Sequence, residues 1–130
     1  MEMVVVSEGG KKVKALYKGF TIETDQSREY GGGETAPEPF DLFLASIGTC
    51  SGINVVVFCQ RHGIPAEDIK LVIGFTRNRE TKMIEKIKID IQLPSDFPEK
   101  FKKAVIRAVD LCSVKRHMIH PPEFEILTRT

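Results

Sequence analysis

The chain lacks a charge excess of either sign: 19 basic and 18 acidic residues leave a net charge of +1 over 130 residues. That balance argues against a nucleic-acid partner and against an acidic solvating tail. The first residues, MEMVVVS, lack a charged segment followed by a long apolar core, so they do not read as a signal peptide. No clean membrane-length apolar run is present either. The most apolar stretch, residues 40–58, is broken by Asp41, Ser46, Thr49, Ser51 and Asn54, which argues against a membrane span. Cysteine is scarce, with three residues and no Cys-x-x-Cys. An odd count without a targeting signal disfavours a structural disulfide framework and fits a reducing cytoplasm. The spacings Cys112, His117, His120 and Cys59, His62 match no strong zinc pattern, so no metal is expected. Nucleophile-elbow and phosphate-loop motifs are missing, and the run Gly31, Gly32, Gly33 lacks the Lys and Ser/Thr a phosphate loop needs.

What is present is enough apolar material, 42% of residues, for one core and one domain over residues 1–130. Residues 3–7, 12–17 and 20–24 read as strands, separated by turn signals at Gly9 and Gly10 and at Lys18 and Gly19. Residues 25–39 carry no periodicity and form a loop with Arg28 and Tyr30 as its large side chains. A helix should start near Pro39, run to about His62 and stop at Gly63. Phe40, Phe43, Leu44, Ile47, Cys50, Ile53, Val57 and Phe58 recur at helical spacing, and further apolar residues fill the other faces. Such a helix belongs at the centre of a fold, enclosed by sheet with help from a second subunit. Residues 70–75 and 84–93 read as strands, the second with Ile87, Ile89, Ile91 and Leu93 on one face. A second helix should begin around residues 94–98 and carry Val105, Val109 and Cys112 on its apolar side, with a short turn or helix after Ser113. Residues 124–128 read as a last strand after the break at Pro121 and Pro122. The order βββ-α-ββ-α-β is an α+β class.

The three cysteines differ in setting. A free cysteine on an apolar helix is, by default, a small core hydrophobe. Cys59 fits that description. It lies nine positions after Cys50, roughly 900° around the helix and ~13 Å along it, beyond the ~7 Å limit for a disulfide. Cys50 and Cys112 lie in settings that suggest a redox pair: if they meet, one thiolate can be oxidised and the other can trap it. Cys50 sits about three turns into its helix, too far for the helix dipole to ionise it. It needs either a helix break at Gly48 or a nearby cation, from Arg28 or from Lys115 and Arg116. Ser113 follows Cys112 at a helix junction where backbone N–H groups can support a thiolate.

Segment 31–50, GGGETAPEPFDLFLASIGTC, with Cys112 about sixty residues further on, resembles the OsmC/Ohr family of osmotically inducible and organic-hydroperoxide-resistance proteins. The resemblance extends to the order of elements along nearly the whole chain. It implies the OsmC-like fold, antiparallel sheets around a long buried central helix, in an intertwined homodimer. It implies a thiol peroxidase, with Cys50 at the peroxidatic and Cys112 at the resolving position, an external dithiol as reductant, and no metal, flavin or haem. Arg28, Glu38 and Asp41 are the candidates to activate the thiolate. Phe40, Phe43 and Ile47 are expected to line an apolar pocket for a small organic hydroperoxide or other small ligand. The chain departs from the family pattern at Phe40, where a Glu is usual, and at Ser113, where a Pro is common. The N-terminal hairpin also lacks the usual Arg. Two functions follow as alternatives: a cysteine-based hydroperoxide reductase with peroxiredoxin-like chemistry, or an OsmC-like small-molecule binding protein.

Overall fold

A computed structural model describes residues 1–130, which form two compact units, Met1–Ala45 and Ser46–Thr130. The first unit opens with an antiparallel meander of β1 (Val4–Gly9), β2 (Lys12–Tyr17) and β3 (Phe20–Thr24). Lys18 and Gly19 both take left-handed φ, as the tight turn that pairs Tyr17 with Phe20 requires. The loop that follows is built around one carboxylate. Asp25, 1% exposed, accepts hydrogen bonds from the N–H groups of Gln26, Gly33 and Thr35 and from the Thr35 hydroxyl. Those bonds, the Thr35 hydroxyl first, hold its pKa down at about 2. The loop includes a 3-10 turn, Arg28–Tyr30, and the backbone folds back so closely that a Cβ on Gly32 would lie 2.0 Å from the Gln26 carbonyl oxygen. Gly32 therefore sits in a packed turn that only glycine fits.

Helix α1 (Pro39–Arg61) starts in the first unit and continues into the second. Glu38 is the residue before it, and the Asp41 carboxylate accepts the Glu38 N–H at 3.0 Å, half of a capping box. At the far end, Gly63 is left-handed, and the Ile64 and Gly63 N–H groups return to the carbonyls of Cys59 and Gln60, a Schellman stop. The helix runs unbroken through Gly48, so no new helix start forms near Thr49. Gly48 serves packing instead: a Cβ there would meet the Ile73 Cδ1 at 2.7 Å. In length and composition α1 matches a membrane span. Its buried residues, Ile47, Ser51, Val55 and Cys59, recur every fourth position, a single stripe turned to the core.

In the second unit, β4 (Lys70–Arg77) pairs antiparallel with β5 (Ile84–Gln92). Ile87, Ile89 and Ile91 face inward in alternation with exposed Lys88, Asp90 and Gln92. After a 3-10 turn, Glu99–Phe101, come α2 (Lys102–Asp110) and α3 (Ser113–Ile119). Val55, Cys59, Phe97, Val105 and Val109 form the core, with Phe58, Ile64, Leu71 and Ile91 against it. Two antiparallel sheets and three helices with a long central one make the α+β class expected from sequence. Two details of the element order differ. The second helix begins only at Lys102, because the chain from Pro94 first spends a turn and a 3-10 segment. The strand expected at residues 124–128 is absent. Its Phe124, Ile126 and Leu127 are 85%, 91% and 62% exposed. An alternating apolar segment becomes a strand only when another strand takes its N–H and C=O groups, and no other strand of the chain pairs with it.

Candidate functional site

The second unit brings Cys50 and Cys112 together. Cys50 lies on the middle of α1, half-buried. Cys112 is the extended residue that caps α3, with φ −62° and ψ 125°, and is 2% exposed. All three cysteines are free thiols. The Ser113 Oγ lies 3.6 Å from the Cys50 Sγ. Around that sulfur converge the backbone N–H of Val114, the Cys112 thiol, and the hydroxyl and N–H of Ser113. In that order they bring the Cys50 pKa down to about 7, against the opposing effect of burial. The activating groups inside this unit are thus dipoles and neutral donors. Lys115 instead pairs with the Asp110 carboxylate.

The partner thiol behaves in the opposite sense. Burial pushes Cys112 up, and the hydrogen bond it shares with Cys50 holds its proton further. Of the two neighbouring thiols, Cys50 is thus the readier to ionise and Cys112 the readier to keep its proton. Cys59 is fully buried in the core and also raised, first by burial and then by the Glu67 charge. It is the core hydrophobe its spacing predicts. A cavity of about 870 Å³ opens in the same unit, with Ile47, Ser51, Ile89, Val105, Val109 and Cys112 on its wall.

The remaining candidates lie in the first unit. The Arg28 backbone N–H donates to the Glu34 carboxylate, and the Glu38 carboxylate accepts the Ser27 N–H at 3.0 Å. Asp41 caps α1 as described, and Phe40 and Phe43 lie with ring centroids 5.5 Å apart. Glu38 and Asp41 therefore have local duties in fixing the helix start. The histidines considered as ligands have other neighbours: His117 Nδ1 bonds the Ser113 carbonyl at 2.7 Å, and His62 lies against Phe58 and Phe101. No group of three or more His, Cys, Asp or Glu side chains is arranged to hold a metal ion. Sequence reasoning passed over Asp25 and Val114. Asp25 carries a readable signal, an Asp opening a Gly-rich loop with a Thr ten residues on. Val114 acts through its backbone, which no side chain announces.

A two-thiol α+β protein with a central apolar helix is the class that this fold and site define. Comparison places it further: the model of the family described as OsmC-like protein matches residues 31–127, and the chain belongs to that family. Among solved structures, it is similar to a proposed osmotic stress induced and detoxification response protein from Psychrobacter arcticus 273-4. That match has 19% identity and a TM-score of 0.76, and covers 92% of this chain and 88% of that one. A hypothetical protein from Aquifex aeolicus VF5 matches at 25% identity and a TM-score of 0.64, over 92% and 86% of the two chains. A protein from Legionella pneumophila described as organic hydroperoxide resistance protein OsmC matches at 17% identity and a TM-score of 0.53, over 91% and 89%. No curated protein matches the chain.

Proposed function

We propose that the protein is a thiol-dependent reductase of bulky, apolar organic hydroperoxides. The observation that carries the reading is the set of donors gathered on the Cys50 sulfur, with Cys112 as one of them. Membership of the OsmC-like family and the description of the Legionella relative support a peroxide-related redox role. The Cys50 thiolate attacks the terminal oxygen of the hydroperoxide. The S–O bond forms as the O–O bond breaks, and the departing alkoxide takes a proton to leave as the alcohol. Cys50 is then a sulfenic acid. The Cys112 sulfur gives up its proton and attacks the Cys50 sulfur. The S–O bond breaks, hydroxide leaves as water, and a Cys50–Cys112 disulfide remains. An external dithiol supplies two electrons and two protons to restore both thiols, with no metal, flavin or haem. A reducing compartment such as the cytoplasm fits this cycle.

The working unit of the proposal is a homodimer. On α1, Ile53 and Val57 are 55% and 37% exposed in the single chain, and β1 presents Val4, Val5 and Val6 to solvent. Apolar surface of that kind on a central helix and a sheet is what a second copy covers. Light scattering on the purified chain should give twice the monomer mass; a monomer at micromolar concentration counts against it.

The test of the chemistry is non-reducing peptide mapping by mass spectrometry after one equivalent of cumene hydroperoxide. Rapid, near-complete Cys50–Cys112 linkage is expected. Scattered oxidation with both thiols still free would defeat the reading. The cavity with Cys112 on its wall favours the second reading, a small-molecule binding protein whose thiols react slowly, and so does Phe40 at the position where the family resemblance leads one to expect Glu. Alkylation of Cys50 against pH separates the two. A midpoint near 7 goes with catalysis, and one near the ~8.5 of a free cysteine goes with binding.

A further inference from the structure

One turn beyond Cys50 on α1 stands a polar group that has no partner. The Asn54 side-chain nitrogen is buried and makes no hydrogen bond. A buried amide that donates to nothing forfeits its bonds to water and gains none in return, so a stable fold retains one only for a reason. The core alternative is not remote here: Val55 next to it and Ser51 a turn above are fully covered, and Ser51 settles its hydroxyl on the Ile47 carbonyl at 2.8 Å. Asn54 makes no such bond with its nitrogen.

Its position says what it waits for. Four residues along a continuous helix is ~400°, so Asn54 and Cys50 share a face about 40° apart. Their Cβ atoms are neighbours at about 5–6 Å. Helical side chains lean toward the N-terminus, which carries the Asn54 amide back over the turn that holds Cys50. In the resting protein the neighbourhood offers thiols and donors: the Cys112 thiol, the Ser113 hydroxyl and the N–H groups of Ser113 and Val114. Of these groups only the Ser113 hydroxyl carries an oxygen, and it lies on the Cys50 sulfur at 3.6 Å, so the Asn54 nitrogen is left without an acceptor.

We propose that Asn54 is the residue that receives the oxygen delivered to Cys50. This rests on the hydroperoxide reading above. As the Cys50 thiolate takes the terminal oxygen and the O–O electron pair leaves with the alkoxide, the transferred oxygen gains an acceptor role beside the sulfur. The Asn54 N–H donates to it, without proton transfer, in the attack and in the sulfenic acid that follows. A donor already stripped of water and fixed on a helix needs no reorganisation at that moment. It also holds the sulfenic oxygen to one side, leaving the sulfur open to Cys112.

The test compares two reactions of the same sulfur. Cys50 is treated with cumene hydroperoxide, which delivers an oxygen, and with iodoacetamide, which alkylates the sulfur without delivering one. The wild type and Asn54→Leu are compared, with Asn54→Ala as the second variant in case Leu does not fit. The expected result is a hydroperoxide rate lower by on the order of a hundredfold, an unchanged iodoacetamide rate and pH midpoint, and a melting temperature held or raised. Equal rates for variant and wild type in both reactions overturn the proposal. So does an equal fall in both, which would make Asn54 a support for the thiolate or the fold. A wild-type protein that reacts with the hydroperoxide no faster than free cysteine overturns the hydroperoxide reading itself, and is seen before any variant is made.

Discussion

Two turns of one helix carry the same residue with opposite chemistry. Cys50, in the middle of α1, is drawn down to about 7, whereas Cys59, near its C-terminal end, is pushed up. Both are thiols on one apolar helix, and neither is near the helix N-terminus, so the helix dipole does not account for the lowering at Cys50. The difference lies in what packs on them. Cys59 faces Val55, Val105 and Val109, which offer no donors. Cys50 faces the start of α3, where Ser113 and Val114 have N–H groups free of helical partners. The lesson is that the lowered pKa of this thiol comes from neighbours some sixty residues away in sequence, the Val114 backbone N–H first among them.

The largest break in that comparison should come from deleting each sulfur in turn. Cys50→Ser is expected to abolish hydroperoxide turnover, measured by loss of cumene hydroperoxide with dithiol present. Cys59→Ser should leave turnover intact and lower stability by about 1–3 kcal/mol, because it buries a hydroxyl among apolar side chains. Thermal melting reads that difference. A smaller effect should come from Ser113→Pro, which removes the hydroxyl and the N–H of Ser113 and leaves the Val114 N–H in place. The Cys50 thiolate forms as pH rises through its pKa, so a higher pKa moves the alkylation midpoint upward from about 7. A rise of one full unit from about 7 cuts the thiolate at neutral pH about fivefold. Ser113→Ala, which loses the hydroxyl alone, should move the midpoint least. If neither variant moves it, the α3 junction is not what distinguishes Cys50 from Cys59.

The local parts of this molecule are written in its sequence, and the contacts between distant parts are not. β2 and β3 fall where their alternation and turn residues put them, and α1 keeps its Pro start and Gly stop, because each depends on residues a few positions apart. The burial of Cys59 follows from helical spacing in the same way. The reason Cys50 is activated does not, since the Val114 N–H looks like any other backbone group until α3 is brought to it. Residues 124–128 failed in the other direction. Their alternation is that of a strand, but pairing needs a second strand, which the pattern cannot supply. The loop at 25–38 misled by composition, because its glycines and charged residues resemble a flexible connection. In fact Asp25, Glu34 and Glu38 each tie a carboxylate to backbone N–H groups within it.

Gly32 has a consequence for anyone screening this protein by exhaustive mutagenesis. Any side chain there collides with the Gln26 carbonyl, so every substitution at this position should deplete from a pooled selection. A depletion map will thus rank a residue with no reacting atom alongside the cysteines. Intolerance in such data marks where the backbone has no room as readily as where bonds are made.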